Sequence, residues 1–434
     1  MLSTLFALSP LPALRHNARM NALDAVRVLD LSRVLAGPWS TQTLADLGAD
    51  VVKVERPGGG DDTRAWGPPF LKNPDGQDSA ESAYFMGANR NKRSMTCDLS
   101  TAGGQDLMRQ MASHAHVFVE NYKVGDMKRY GLDYATLKQL NPALVYCSIT
   151  GFGQTGPYQN RAGYDFAVQA MGGLMSVTGE RDDAGGGPQK VGVAVADLFT
   201  GMYATVAILA ALRHAERTGQ GQHIDMALLD TQVAMLANLG ANHLVNLPDQ
   251  LPPPSRMGNA HVNIVPYQVF ETSSKPCGAR DFMIVAVGND GQFARLCECV
   301  GHPEWSSDPR FARNQDRVMH RELLIPQLTH LMRLRPKAEW LSLLEASKVP
   351  CGPINDLAEV FNDPQVQARG MVESWHHPLQ ADLRLVASPM KLSATPVQHH
   401  LPPPCLGEHT ADVLKDWLGM NASKVQALQS DQVI

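Results

Sequence analysis

Asp197 stands in Gly192-Val193-Ala194-Val195-Ala196-Asp197-Leu198-Phe199-Thr200-Gly201, where an apolar extended run gives way to a long apolar helix. A carboxylate at that junction lies in the field of a helix N-terminus, which favours its ionised form and makes its surroundings receptive to anions. Enzymes that move acyl groups use such carboxylates as nucleophiles. Aspartate also caps helices, and Thr200 follows three residues on, so an N-cap is the competing reading of the same residue. Asp165, in Tyr164-Asp165, is a second carboxylate and reads as the cap of a helix from Phe166 to Met171.

Other groups suited to anion recognition lie along the chain. Lys53-Val54-Glu55-Arg56-Pro57-Gly58 ends a strand in basic residues and glycines, either a solvated turn or the strand-end position where open α/β sheets bind ligands. Asn89-Arg90-Asn91-Lys92-Arg93-Ser94 is a basic loop that, with Lys128 and Arg129, suits phosphate; a solvated basic face is the alternative. Gly151-Phe152-Gly153-Gln154-Thr155-Gly156 satisfies G-x-G-x-x-G after a strand. Pro157, Asn160, Arg161 and Gly163 follow it, so no helix opens on the last glycines and a dinucleotide site is disfavoured. His261, in Gly258-Asn259-Ala260-His261, is a lone loop histidine, ordinarily a surface residue and here a candidate substrate contact.

The elements that position these groups follow from periodicity. Strands are expected at Val26–Leu31, Asp50–Val54, His116–Glu120 and Leu144–Ser148, with helices over Trp39–Leu47, Gly103–His114 and Tyr134–Leu140 between them. Such alternation implies parallel pairing through helical crossovers, a doubly wound sheet. Farther on, a helix from Leu198 to Arg217 stops at Gly219, a strand follows at Gln222–Met226, and a long helix spans Leu228–Asn246. Pro248-Asp249-Gln250-Leu251-Pro252-Pro253-Pro254 is a linker, and beyond it come a strand at Asp281–Val287 and helices near 290–300, 318–333 and 337–347. The chain thus divides into a large α/β domain (21–247), a smaller α/β domain (248–350) and a segment from 351 to 434.

A chain of 434 residues with 44% apolar and 19% charged content supports two or more domains and excludes disorder. A net charge of −5 gives no global field for nucleic acid or an anionic membrane, so a polyanion must be held by local Arg, Lys and backbone N–H groups. The cysteines (Cys97, Cys147, Cys277, Cys297, Cys299, Cys351 and Cys405) form no C-x-x-C pair, which argues against metal and disulfide frameworks and for a reducing compartment. The apolar run Leu198–Leu212 is too short for a bilayer span and reads as a buried helix. Residues 1–20 read as an extension before Met20 in a cytoplasmic protein; with Arg15 and Arg19 and no acid, a transit peptide to the mitochondrial matrix is the alternative.

Taken in order, the segments resemble the class III coenzyme A transferases, the family that also holds the α-methylacyl-CoA racemases. The matching stretches are Arg33-Val34-Leu35-Ala36-Gly37-Pro38, Lys53-Val54-Glu55-Arg56, Asn91-Lys92-Arg93-Ser94, Val119-Glu120-Asn121-Tyr122 and Gly151 to Pro157. Ala196-Asp197, Gly219-Gln220-Gly221-Gln222, Pro350-Cys351-Gly352-Pro353 and Leu406-Gly407-Glu408-His409-Thr410 complete them. The resemblance implies a nucleophilic Asp197 and CoA contacts at Val34, Leu35, Ala36, Arg56, Asn121, Tyr122 and Arg129. It implies an interlocked homodimer in which residues 351–434 return to complete the large domain. It implies no metal and no permanently bound cofactor, with CoA as a shuttling substrate.

Departures within the family narrow the expectation. Racemases pair a His with the Asp, and the position similar to it here is Tyr164, a poor proton relay with an unperturbed pKa of about 10. Formyl-CoA:oxalate transferases carry Gln where this chain has Leu35. The runs 33–38, 258–261 and 264–268 look most like the members that use succinyl-CoA and glutarate. The expected activity is therefore CoA transfer from an acyl-CoA, succinyl-CoA first, to a dicarboxylate-like acid through a covalent aspartyl intermediate. Arg256 and His261 are candidate partners of the distal acid group. The alternatives are a racemase and a non-catalytic acyl-CoA-binding protein.

Overall fold

The computed structural model describes residues 21–246, 252–275 and 277–434. The extension 1–20 and the linker's first part, up to Leu251, lie outside them.

In chain order the first strands are β1 (Arg27–Asp30), β2 (Asp50–Glu55), β3 (Phe70–Lys72), β4 (Asp78–Ser82) and β5 (Lys92–Thr96). They are followed by β6 (Val117–Glu120), β7 (Val145–Thr150) and β8 (His223–Ala227). Later come β9 (Tyr267–Glu271), β10 (Phe282–Ala286), β11 (Cys351–Pro353), β12 (Val372–His377) and β13 (Gln380–Val386). The main sheet has the order β5-β2-β1-β6-β7-β8, and every pairing in it is parallel.

Alternation along each strand explains why both faces of this sheet are covered. Leu29, Val52 and Phe118 point to one face, where they meet Leu107, Met108 and Met111 of the helix Ala102–His114 and Val413, Leu414 and Trp417 of the helix Thr410–Leu418. Val28, Val51, Val117 and Val119 point to the other face, against the helices Ala36–Asp46 and Val195–Thr218. Parallel sheets occur with both faces buried in this way. A three-stranded antiparallel sheet, β11-β10-β9, has its own core of Phe270, Met283 and Val285 with Phe293, Leu328 and Trp340. Its third strand falls just past residue 350.

Three departures from the sequence expectations bear on the site. The long helix begins at Val195, not Leu198, so Asp197 lies inside its first turn; Ala194 is the N-cap and caps nothing with its side chain. The helix expected over Leu228–Asn246 is two, Leu228–Ala234 and Ala237–Asn246, broken where Ala237 has φ 46°. The basic stretch 89–94 is no phosphate-collecting loop. Lys92–Thr96 is a strand, Lys92 is fully buried on Pro38 O (2.9 Å) and Asn89 Oδ1 (2.8 Å), Arg90 holds Asp46 (Nε to Oδ1 2.9 Å), and Arg93 holds Asp50 and Asp416.

Candidate active site

The chain leaves β1 for β2 and β5 on one side and later returns to place β6 on the other, so the order in which strands are added reverses between β1 and β6. In doubly wound sheets ligands bind outside the strand carboxyl ends at this switch point. The residues there are the Arg33–Ala36 turn after β1 and Asn121–Tyr122 after β6. They hold one another: Arg33 N–H donates to Asn121 Oδ1 (2.9 Å), and Asn121 Nδ2 donates back to Arg33 O (2.7 Å).

Val34 in that turn has φ 72°. A β-branched residue in the left-handed region is strained by about 1–3 kcal/mol, and such strain concentrates at functional sites. The helix Ala36–Asp46 begins immediately after, with Leu35 as an N-cap that makes no side-chain cap bond. The N–H groups of its first turn are therefore not capped, which is the arrangement that receives anions.

A cleft of about 200 Å³ opens beside the turn, lined by Arg33, Arg56, Asp98, Ser100, Tyr122 and Tyr130 among others. Arg33 lies over the Tyr122 ring at 5.3 Å, Tyr122 meets Tyr130 edge-on at 6.4 Å, and Arg129 lies over Tyr130 at 5.0 Å. Cations on aromatic faces beside a helix N-terminus suit a phosphorylated, base-bearing ligand. Of the residues expected at a CoA site, Arg56 and Tyr122 line this cleft, Val34, Leu35 and Ala36 form the turn beside it, Asn121 clasps that turn, and Arg129 lies over Tyr130. Arg33 and Tyr130 join them unforeseen; their signal was local, adjoining Val34 and Arg129 in the chain. Lys53, by contrast, is wholly buried and bonded to Asp61 Oδ2 (2.8 Å) and Ser32 O (3.0 Å).

Asp197 comes to the same end of the sheet on the helix Val195–Thr218. One turn later on that face, Gly201 touches the Ala36–Asp46 helix so closely that an added Cβ would sit 2.6 Å from Ala36 O. Asp197 makes no side-chain hydrogen bond or ion pair among the described residues. The helix N–H groups beside it are taken by Asp165, whose Oδ1 accepts from Ala196 N–H (2.8 Å) and Asp197 N–H (3.4 Å). Asp165 is therefore not the cap of its own helix, Asp165–Met171, where Tyr164 is the N-cap. It caps the long helix, held by Gln169 Nε2 at 2.6 Å, while Gln169 Oε1 accepts from Val191 N–H at 2.9 Å.

This capping reverses the expectation that Asp197 stays firmly ionised. Burial, and then the like charge of Asp165, push the Asp197 carboxyl up to about 7. Tyr84 shares the neighbourhood: burial and the charges of Asp197, Asp165 and Asp61 raise its phenol. Arg256 and His261 are not joined to this cluster. Arg256 pairs with Asp182 and donates to Glu180 O (3.2 Å), and His261 packs on Tyr267 with its Nδ1 accepting from Asn263 N–H (3.0 Å).

A family profile described as CoA-transferase family III matches residues 23–410. The chain is 51% identical over 399 residues, 92% of its own length and 96% of the relative's, to the succinate–glutarate CoA-transferase of Agrobacterium fabrum. It is 40% identical over 412 residues, 95% of this chain and 90% of the relative, to the succinyl-CoA:glutarate CoA-transferase of Homo sapiens. A solved CaiB/BaiF family protein from Brucella suis superposes with a TM-score of 0.78 at 46% identity, covering 92% of this chain and all of that one. The chain with this switch-point cleft and its half-buried carboxylate belongs to CoA-transferase family III and is an enzyme.

Proposed function

We propose that the enzyme moves CoA from succinyl-CoA to glutarate or a similar dicarboxylate, with Asp197 as the nucleophile. The observation that carries this reading is a carboxylate free of hydrogen bonds and ion pairs among the described residues, beside a strained turn and an uncapped helix N-terminus. The names of the relatives support the substrate pair.

In the proposed sequence Asp197 attacks the thioester carbonyl, forming an aspartyl–succinyl anhydride and a CoA thiolate that stays in the cleft. The thiolate attacks the aspartyl carbonyl, so succinate leaves and an aspartyl-CoA thioester remains. The acceptor carboxylate displaces the thiolate to form a new anhydride, and the thiolate captures the acceptor acyl group, regenerating Asp197. Each covalent step divides a difficult exchange into easier ones. An aspartyl anhydride is as activated as a thioester, whereas a cysteine would only store the acyl group as another thioester. The active species is taken to be a homodimer with interlocked chains.

The test is mass spectrometry of enzyme quenched during turnover of succinyl-CoA with glutarate, with hydroxylamine trapping in parallel. The expected result is a modified Asp197 that hydroxylamine converts to the hydroxamate. Product formation with residue 197 unmodified would falsify the assignment of Asp197 as nucleophile; α-proton exchange of a 2-methylacyl-CoA without CoA transfer would favour it as a proton carrier, as in a racemase.

A further inference from the structure

Val34 cannot hold a left-handed conformation without restraint, and the restraint is visible. Its N–H donates to both carboxylate oxygens of Asp61, at 3.2 Å each. Asp61 is itself buried and fixed from other sides: Oδ1 accepts from Thr63 N–H (3.0 Å) and the Thr63 hydroxyl (2.8 Å), and Oδ2 accepts from Lys53 Nζ (2.8 Å). Its own N–H donates to Glu55 Oε2 at 3.0 Å, and Glu55 is gripped by Arg64 (Nε to Oε2 2.7 Å). Asn121 clasps the other end of the turn through Arg33. The turn is thus held at two successive N–H groups and one carbonyl by groups that themselves have little freedom.

We infer that Asp61 is the positioning residue for the acyl-CoA site. By anchoring Val34 N–H it keeps the turn left-handed and aims the first N–H groups of the Ala36–Asp46 helix toward the Asp197 side of the cleft. The inference rests on the reading of the Val34–Ala36 turn as a CoA contact. Asp61, 1% exposed at the wall of the cleft, acts through Val34, and its carboxylate oxygens matter as hydrogen-bond acceptors more than as a charge for Lys53.

Two substitutions separate those roles. Asp61→Ala removes both acceptors, whereas Asp61→Asn keeps the Oδ1 acceptor for Val34 and Thr63 but turns an N–H2 donor toward Lys53, so it is made together with Lys53→Met, which removes the facing ammonium. With succinyl-CoA and glutarate as probes, Asp61→Ala is expected to raise KM for succinyl-CoA and lower kcat, a loss on the order of 100-fold in kcat/KM. Asp61→Asn with Lys53→Met is expected to stay within about threefold of Lys53→Met alone, because the Val34 and Thr63 hydrogen bonds to Oδ1 persist. In a Val34→Gly background, where glycine adopts the conformation unaided, Asp61→Ala should cost less than about tenfold. Equal losses in both backgrounds, or an Asn variant as poor as the Ala variant, overturn the inference and leave Asp61 as a counter-ion for Lys53. If Asp61→Ala does not fold, the same comparison is made in a Lys53→Met background, which removes the unpaired buried ammonium. A crystal structure of Asp61→Ala separates the two layers of the argument. Residue 34 still left-handed overturns the restraint; a relaxed turn with unchanged kcat and KM overturns the turn as a CoA contact.

Discussion

Asp197 and Asp165 share one helix N-terminus, and only one of them receives its N–H groups. This sets a pH dependence whose sign is fixed. The folded-state value of Asp197, about 7, lies above its ordinary 3.8, so the native protein binds this proton more tightly than the unfolded chain. The associated stability is complete below the ordinary value and is lost as pH climbs through about 7. Asp197→Asn should therefore abolish transfer and yet raise Tm near pH 8, by the equivalent of ~2 kcal/mol after allowance for solvent screening, with the gain vanishing in acid. Calorimetry across that range checks it; a variant less stable than the parent at pH 8 contradicts the account of a partly desolvated charge. Because the nucleophile must be ionised, kcat/KM of the parent should rise through an acid limb near 7. Asp165→Asn should move that limb lower by removing the like charge, and a pH–rate profile with an unmoved limb would exclude the coupling. At this scale Asp197 was legible, because an acid interrupting an apolar run needs a reason. The role of Asp165 was not, since it caps a helix 31 residues away in sequence. Nor was the fate of Arg90 and Lys92, whose acidic partners Asp46 and Asp30 lie 44 and 62 positions away.

Elements were legible where hydrophobic periodicity ran uninterrupted: β1, β2, β6, β7 and the helices between them. Strand β5 escaped because two of its three buried residues are polar, Lys92 and Ser94, and their partners include Asp30 and Glu55, far away in sequence. The break at Ala237 escaped because nothing in Leu236-Ala237-Asn238 marks a stop. What matters for catalysis is the crossing of the helices Ala36–Asp46 and Val195–Thr218, since one carries the turn and the other the nucleophile. Gly201 sets their closeness. Gly201→Ala would drive a methyl group to 2.6 Å from Ala36 O and 3.1 Å from Trp39 Cβ, forcing the helices apart. Overpacking of this kind costs about 1–3 kcal/mol. Gly219→Ala is the control: it places a side chain at φ 71° with nothing within 4 Å, so it strains the backbone far from the site. Both should lower Tm, but only Gly201→Ala should also lower kcat. Equal kcat for the two variants would show that this contact does not position the nucleophile.

The molecule as a whole presents a surface that a lone chain leaves unfinished. The helix Val195–Thr218 has 24 residues, and its most apolar 18-residue stretch has a mean hydropathy of 1.7, which by length and composition alone would also suit a membrane span; the core helix of a folded domain meets the same measure. It buries Ala196, Thr200, Ala204, Ile208 and Ala211 against the sheet and the Ala36–Asp46 helix. Phe199, Met202, Tyr203 and Val206, spaced as one helical stripe, face outward, with Val206 61% exposed. Leu244 and Val245 are 65% and 75% exposed on the helix Ala237–Asn246. An apolar stripe on a helix already buried on its other side calls for a cover. The proposed interlocked dimer supplies one from a second copy, and it makes a kinetic prediction that an ordinary dimer does not. Linked chains separate only if one of them unfolds, so subunit exchange should be limited by unfolding and not by dilution. Two differently tagged preparations, mixed under native conditions, should yield no hybrid dimers over days; joint denaturation and refolding should yield a statistical mixture. Val206→Glu should disturb folding and yield aggregate instead of an active monomer, because in the proposed dimer it would place a charge where the second chain covers the stripe. Hybrids forming within minutes in native buffer would mean that the chains merely abut, and the exposed stripe would then need a different cover.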